Sequence, residues 1–196
     1  MNIILLVLFC LLVTESLAQR GFVSFGWQGG EATENTKDFI SERSYEGFNF
    51  KVERFVLWGF ALGLEVNYTH FYEEAGLQFH QLGNTTYTGQ TFKYFDAAPV
   101  LFTGRIYLGA RRDGFFVPYF GAGAGAYYVQ ETMEVGSVVF QNDGWAWGVA
   151  PQAGLMLRLD EFLYLFGEAA YNKIFERGDI GDHTFFTGTV GLRFGF

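Results

Sequence analysis

From residue 21 to the end, apolar and polar side chains alternate with a period of two, and no other feature constrains the fold so tightly. Eight segments carry the pattern: residues 21–29, 46–56, 60–71, 91–108, 115–129, 145–159, 162–175 and 183–196. In the second, Phe48, Phe50 and Val52 alternate with Asn49, Lys51 and Glu53. Pro99 interrupts the fourth and predicts a bulge or a late start to that strand. The stretches between segments alternate in length. Residues 57–59, 109–114 and 160–161 read as short turns, and residues 30–45, 72–90, 130–144 and 176–182 as long loops. Short turns on one side and long loops on the other are the arrangement of a barrel that spans an outer membrane.

The two faces of the segments differ in a way that sets the sense of the barrel. One face carries Leu, Val, Phe and Tyr in segment after segment. The other mixes Gly, Thr, Asn and Gln with single charges. A soluble barrel would bury the apolar face and would then have to solvate little else. A membrane barrel turns that face to lipid and keeps the polar one inside. The 24 Phe and 26 Gly in 196 residues fit the second sense, because aromatic girdles at two interfaces consume aromatics that a core of this size does not need. The expected fold is therefore all-β: an eight-stranded antiparallel up-and-down transmembrane β-barrel.

The first 18 residues stand apart. Ile3 to Val13 is an unbroken apolar run, followed by Ser16, Leu17 and Ala18, the layout of a signal peptide cleaved after Ala18. The n-region carries no Lys or Arg, a departure from the usual pattern, and the run is short for a membrane helix. Residues 19–196 then form a single barrel domain. Cys10, the only cysteine, leaves with the leader, so disulfide and thiol chemistry are not expected in the mature chain. The net charge of −8 argues against a nucleic-acid partner.

The terminal run Thr189-Val190-Gly191-Leu192-Arg193-Phe194-Gly195-Phe196 resembles the assembly signal of bacterial outer-membrane barrels, an alternating last strand ending in an aromatic. Pro118-Tyr119-Phe120-Gly121-Ala122-Gly123-Ala124-Gly125 and Leu165-Phe166-Gly167-Glu168 resemble small barrels of the OmpA, OmpX and opacity-protein kind. The resemblance covers nearly all of residues 19–196. It implies an outer-membrane location, Phe194 and Phe196 as the assembly signal, and partners in outer-membrane lipid, lipopolysaccharide and the barrel-assembly machinery. A monomer is expected. It does not imply one activity, since this architecture hosts adhesins, packed structural barrels, small-molecule channels and a few lipid enzymes.

Lys51, Glu53, Glu65, Arg105, Arg158, Glu168 and Arg193 fall on the inward face. Eight strands leave a lumen that side chains can fill, so these mixed charges are expected to pair and plug it. Glu168 is expected to meet Arg193 or Arg158 on the neighbouring strands. The function expected is a structural or surface-interaction role, with a narrow channel for small or apolar solutes as the alternative. The long loops carry twelve acidic residues against Lys37, Arg43 and Arg177, without the spacing of a calcium motif. No metal and no cofactor is expected. His70 and His183 read as polar interfacial side chains, and no histidine stands two residues before a serine, the arrangement a lipid-hydrolysing barrel would need. The chain is therefore read as a non-enzyme. Trp27, Trp58, Trp145 and Trp147 read as interfacial anchors, and the motifs at Asn67 and Asn84 as chance matches to a glycosylation site.

Overall fold

The computed structural model describes residues 21–82, 85–108, 115–178 and 180–196. The expected leader, the expected turn at 109–114, Asn84 and Asp179 lie outside the described residues. Eight strands form the wall: β1 (Gly21–Thr33), β2 (Glu46–Leu57), β3 (Phe60–Leu82), β4 (Thr85–Tyr107), β5 (Phe116–Val135), β6 (Val138–Arg158), β7 (Leu163–Ile174) and β8 (His183–Gly195). Each pairs antiparallel with the next, and β8 returns to pair with β1 along residues 22–33. The seam ends on Phe196, whose carbonyl accepts from Gly21 N–H at 2.9 Å and whose N–H donates to the Gly21 carbonyl at 3.1 Å. One short helix, α1 (Glu34–Phe39), follows β1, and Arg43 and Ser44 add a two-residue pairing to the rimward end of β1.

The alternation reads directly into the wall. Phe25, Leu64, Phe102, Trp147 and Val190 stand exposed on the outside, while Ser24, Glu65, Thr103, Gln152 and Thr189, one residue away from each in parity, are buried. No helix among the described residues is long and apolar enough to cross a membrane. The apolar belt is carried by strands.

Two of the expected long loops are ladder. β3 and β4 remain paired to Leu82 and Thr85, and β5 and β6 to Val135 and Val138. The sequence within them explains the extension. Residues 85–91 are rich in Thr, and Val138 and Val139 follow the tight turn at Gly136, whose φ of +60° lies where a β-carbon is disfavoured. Their alternation is polar on both faces, because above the lipid neither face needs to be apolar, and so it resembles a loop. A tilted crossing of the hydrocarbon needs about 9–11 residues, and β3 and β4 each have 23. The two hairpins therefore rise well beyond the membrane.

Pro99 makes no bulge. The register of β3 against β4 is the same on both sides of it, Val66 opposite Val100 and Thr69 opposite Ala97, and only the pairing opposite the missing N–H lapses. The irregularities lie instead between Phe55 and Leu57 and between Glu74 and Gly76.

The β8–β1 seam requires glycine at one point. A β-carbon on Gly191 would sit 2.0 Å from the Phe25 carbonyl oxygen and 2.4 Å from the Gly26 α-carbon, both backbone atoms. Gly191→Val should therefore prevent closure. We expect the heat-modifiable, compact form on detergent gels to fall by at least about tenfold, an effect of more than 1.4 kcal/mol. A variant that retains the compact form at the level of the parent protein disproves this account of the seam.

Candidate functional site: the barrel lumen and its rim

The inward side chains stack in three layers. Lowest, toward the short turns, Phe22, Tyr107, Val117, Tyr119, Met156, Tyr164 and Phe166 form an aromatic cluster. Highest, Ile40, Phe71, Phe95, Tyr127, Val129, Ile174, Ile180 and Phe185 form an apolar one. Between them lies a layer of charge.

That layer holds three cations and three anions, none more than 7% exposed: Lys51, Arg105, Arg193, Glu53, Glu65 and Glu168. Alternation alone brings them together, since each occupies an inward position of β2, β3, β4, β7 or β8. Lys51 is paired with Glu168 across the lumen and lies 3.6 Å from Glu65. Arg105 binds Glu53 at 2.8 Å, binds Glu65, and lies 3.6 Å from Glu168. Arg193 is 3.3 Å from Glu53 and donates to Ser24 and Tyr107, each at 2.8 Å. Neutral groups complete the shell. Tyr107 and Tyr119 donate to Glu53 and Glu168 at 3.0 Å, and Asn49, Asn67 and Gln152 donate to Glu65 at 3.0, 2.8 and 2.9 Å. The Arg193 guanidinium also sits among four rings, with Phe166 at 4.9 Å and Tyr119 at 5.0 Å.

Burying one charge in such a site is costly, and burying six is tolerable only because signs balance and nearly every oxygen finds a donor. Six of the seven inward charges named from the sequence lie in this layer. Arg158 does not. It is half-buried at the β6 end, where its Nε donates to the Asp160 carbonyl at 3.2 Å, because the barrel wall finishes there and the side chain reaches water. Glu168 meets neither Arg158 nor Arg193. Register explains the difference: Arg158 and Arg193 both lie opposite Tyr164, four residues from Glu168, whereas Lys51 reaches across the lumen. The neutral partners Ser24, Tyr107, Tyr119 and Gln152 were missed as network members. Their shared inward parity with the charges is the signal that could have found them.

Above the charges, Gln28 donates to Thr69 at 2.6 Å and accepts from Thr189 at 3.1 Å, and Tyr127 donates to Asn172 at 3.0 Å. The apolar layer follows, and the α1 segment covers it. Ile40 is fully buried. The Thr36 hydroxyl accepts from Thr184 N–H at 2.7 Å and lies 3.4 Å from His183 Nδ1. Ser41 donates its N–H and its hydroxyl to Glu73. Partial burial pushes the Glu73 carboxyl up, but the Ser41 donors, with Lys93, outweigh it and hold the group below the usual carboxylate range. His183, the first residue of β8, is thus a buried group beneath the cover, because α1 packs against that end of β8 through Thr36, and the interfacial reading from sequence is corrected. His70 stands on the outward face, its Nδ1 2.7 Å from Asp96. The side chain of His80 lies outside the described residues. Among the described residues no cluster of three or more His, Cys, Asp or Glu side chains is arranged to hold a metal.

No family model matches the chain, and no curated protein matches it. Solved structures do. The attachment invasion locus protein Ail of Yersinia pestis, in complex with the heparin analogue sucrose octasulfate, is similar over 92% of this chain and 100% of its own, with a TM-score of 0.57 and 13% identity. The fold is that of a small bacterial outer-membrane barrel. The outer membrane protein OprG of Pseudomonas aeruginosa matches over 91% of this chain and 96% of its own, with a TM-score of 0.55 and 12% identity. The outer membrane protease OmpT of Escherichia coli matches over 93% of this chain and 100% of its own, with a TM-score of 0.51 and 9% identity. At such identities the likeness is one of fold, and a fold that serves both an attachment protein and a protease does not decide between binding and catalysis.

Glu168→Ala leaves Lys51 buried with only Glu65 near it, and should destabilise the barrel by about 3–5 kcal/mol. The paired replacement Lys51→Met with Glu168→Leu removes both charges and should restore most of that loss. Urea unfolding in detergent reads both. A single variant as stable as the parent, or a double variant worse than the single, refutes the pairing.

Proposed function

We propose that the chain is an integral outer-membrane barrel with a closed lumen, serving envelope structure or surface interaction and catalysing no reaction. The observation that carries this reading is the balanced charge layer, fully enclosed between an aromatic layer below and the Ile40-capped apolar layer above. Ions meet fixed side-chain pairs there, and apolar solutes meet charge. The exterior His70–Asp96 pair has no serine or cysteine hydrogen-bonded to its ring among the described residues; Ser44 bonds the His70 carbonyl instead. The sulfated sugar bound by Ail does not carry over, because the rim of this chain is acidic and would repel a polyanion. Planar-bilayer recording of the refolded protein should give no discrete openings. Regular unitary currents from a homogeneous preparation would replace the closed reading with that of a narrow channel.

The proposal extends to biogenesis. Residues 1–18 act as the cleaved leader, lipid and lipopolysaccharide surround the monomeric barrel, and Phe194 and Phe196 are read by the barrel-assembly machinery. Both rings stand exposed on the outer face. Deleting Phe196 should reduce the heat-modifiable fraction in outer membranes several-fold more than Phe186→Ala, which removes another exposed ring of the same face. Equal losses would assign the effect to face hydrophobicity alone.

A further inference from the structure

The outward face of β3 and β4 changes character at one row. Glu46, His70, Asp96, Gln130 and Asp143 lie side by side across β2 to β6. Below that row the face is apolar, from Phe60 to Tyr68 on β3 and from Ile106 to Ala98 on β4. From Phe60 to the row at His70 a strand tilted by about 40° rises roughly 25 Å, the height of the lipid-facing band. Tyr72, Phe92 and Tyr94 stand beyond the row, and so outside the band. Their rings are contiguous with His70: His70 to Tyr94 at 6.1 Å, Tyr94 to Tyr72 at 5.3 Å, Tyr72 to Phe92 at 6.3 Å with planes 16° apart. Tyr72 is 43% exposed.

Carboxylates frame these rings. Glu74 and Glu134 lie on either side of Phe92 in the ladder, and Asp96 follows Tyr94 on the same face. The lysine of this stretch, Lys93, is turned to the other face, 5.6 Å from the Phe39 ring under the cover. Trp27, Tyr128 and Trp145 lie on the apolar side of the polar row, Trp27 in register with Phe48 and Tyr68 and Tyr128 with Trp145, and are the rings placed to anchor in headgroups. Aromatics exposed at Tyr72, half-buried at Phe92 and Tyr94, and bordered by carboxylates complement a guanidinium or ammonium group, which stacks on the ring faces while the carboxylates accept its hydrogens.

We infer that the outer flank of the β3–β4 hairpin, built on Tyr72, Phe92, Tyr94, Glu74 and Glu134, docks a polypeptide segment rich in Arg or Lys. The inference rests on the surface-interaction reading above and names its partner. A neutral saccharide could also stack on the rings, but it would draw nothing from the acidic border.

The probe is a fluorescent nona-arginine peptide, titrated against the mature barrel refolded in zwitterionic detergent. Binding should saturate and should weaken as salt shortens the reach of the charges. Tyr72→Ala with Tyr94→Ala, and separately Glu74→Gln with Glu134→Gln, should each weaken it by about tenfold or more, the scale of one or two cation–π or charged contacts. Tyr72→Phe with Tyr94→Phe should retain it. Glu34→Gln with Glu176→Gln removes the same charge from the rim on the β7 side, where Glu34 accepts from Tyr171 at 3.3 Å, and should change affinity less than about twofold. Heat-modifiability certifies that each variant is folded. Equal losses in the two charge pairs, or an unchanged affinity in the alanine pair, overturn the inference. So does ring-dependent binding of maltohexaose with none of the peptide. A folded, non-conducting barrel that ignores the peptide overturns this site and leaves the closed-lumen reading intact.

Discussion

A strand that crosses lipid cannot leave its backbone to water, and everything else in this molecule follows from that requirement. It forces β8 onto β1, and it places the last residue in register with the first of the described wall, Phe196 with Gly21. Closure at eight strands fixes a narrow lumen that side chains can fill. The inward positions must then be filled, and the seam must tolerate backbone contacts as tight as those at Gly191.

What fills the lumen is dictated by the same geometry. Inward positions close to the membrane midplane receive charge from five strands, and each charge would be prohibitive alone. The structure resolves this with one connected layer. Glu65 links Lys51, Arg105, Asn49, Asn67 and Gln152, and Glu53 links Arg105, Arg193 and Tyr107. Such a layer specifies one arrangement of the wall, since a one-residue slip of any strand would turn its charge to lipid.

The wall and its sense were legible because lipid on one side and packed polar groups on the other write a period of two into every segment. Phe48 outward and Lys51 inward can be read from residues 46–56 alone. Pairing inside the lumen was not legible. The partner of Glu168 is Lys51, from a strand distant in sequence, and local register points to Arg193 instead. Nor were the rising hairpins, because at Thr85–Thr88 and Val135–Val138 the alternation no longer contrasts apolar with polar. The burial of His183 was hidden for a third reason. It depends on α1 folding back over the mouth, which no periodicity records.

The ladder of β3 and β4 reaches from the charge layer to Leu82, broken only by the lapse opposite Pro99 and the bulge between Glu74 and Gly76, and that makes the hairpin a mechanical element. A load applied at its tip along the strands draws both strands the same way, so the hydrogen bonds between them carry little of it. The strain falls on the flanking ladders, β2 against β3 and β4 against β5, where it acts in shear and is shared by many bonds at once. The bulge between Glu74 and Gly76 is where the free part of the ribbon can yield first. A pull on this hairpin would bend the ribbon at the bulge before it sheared a strand from the wall.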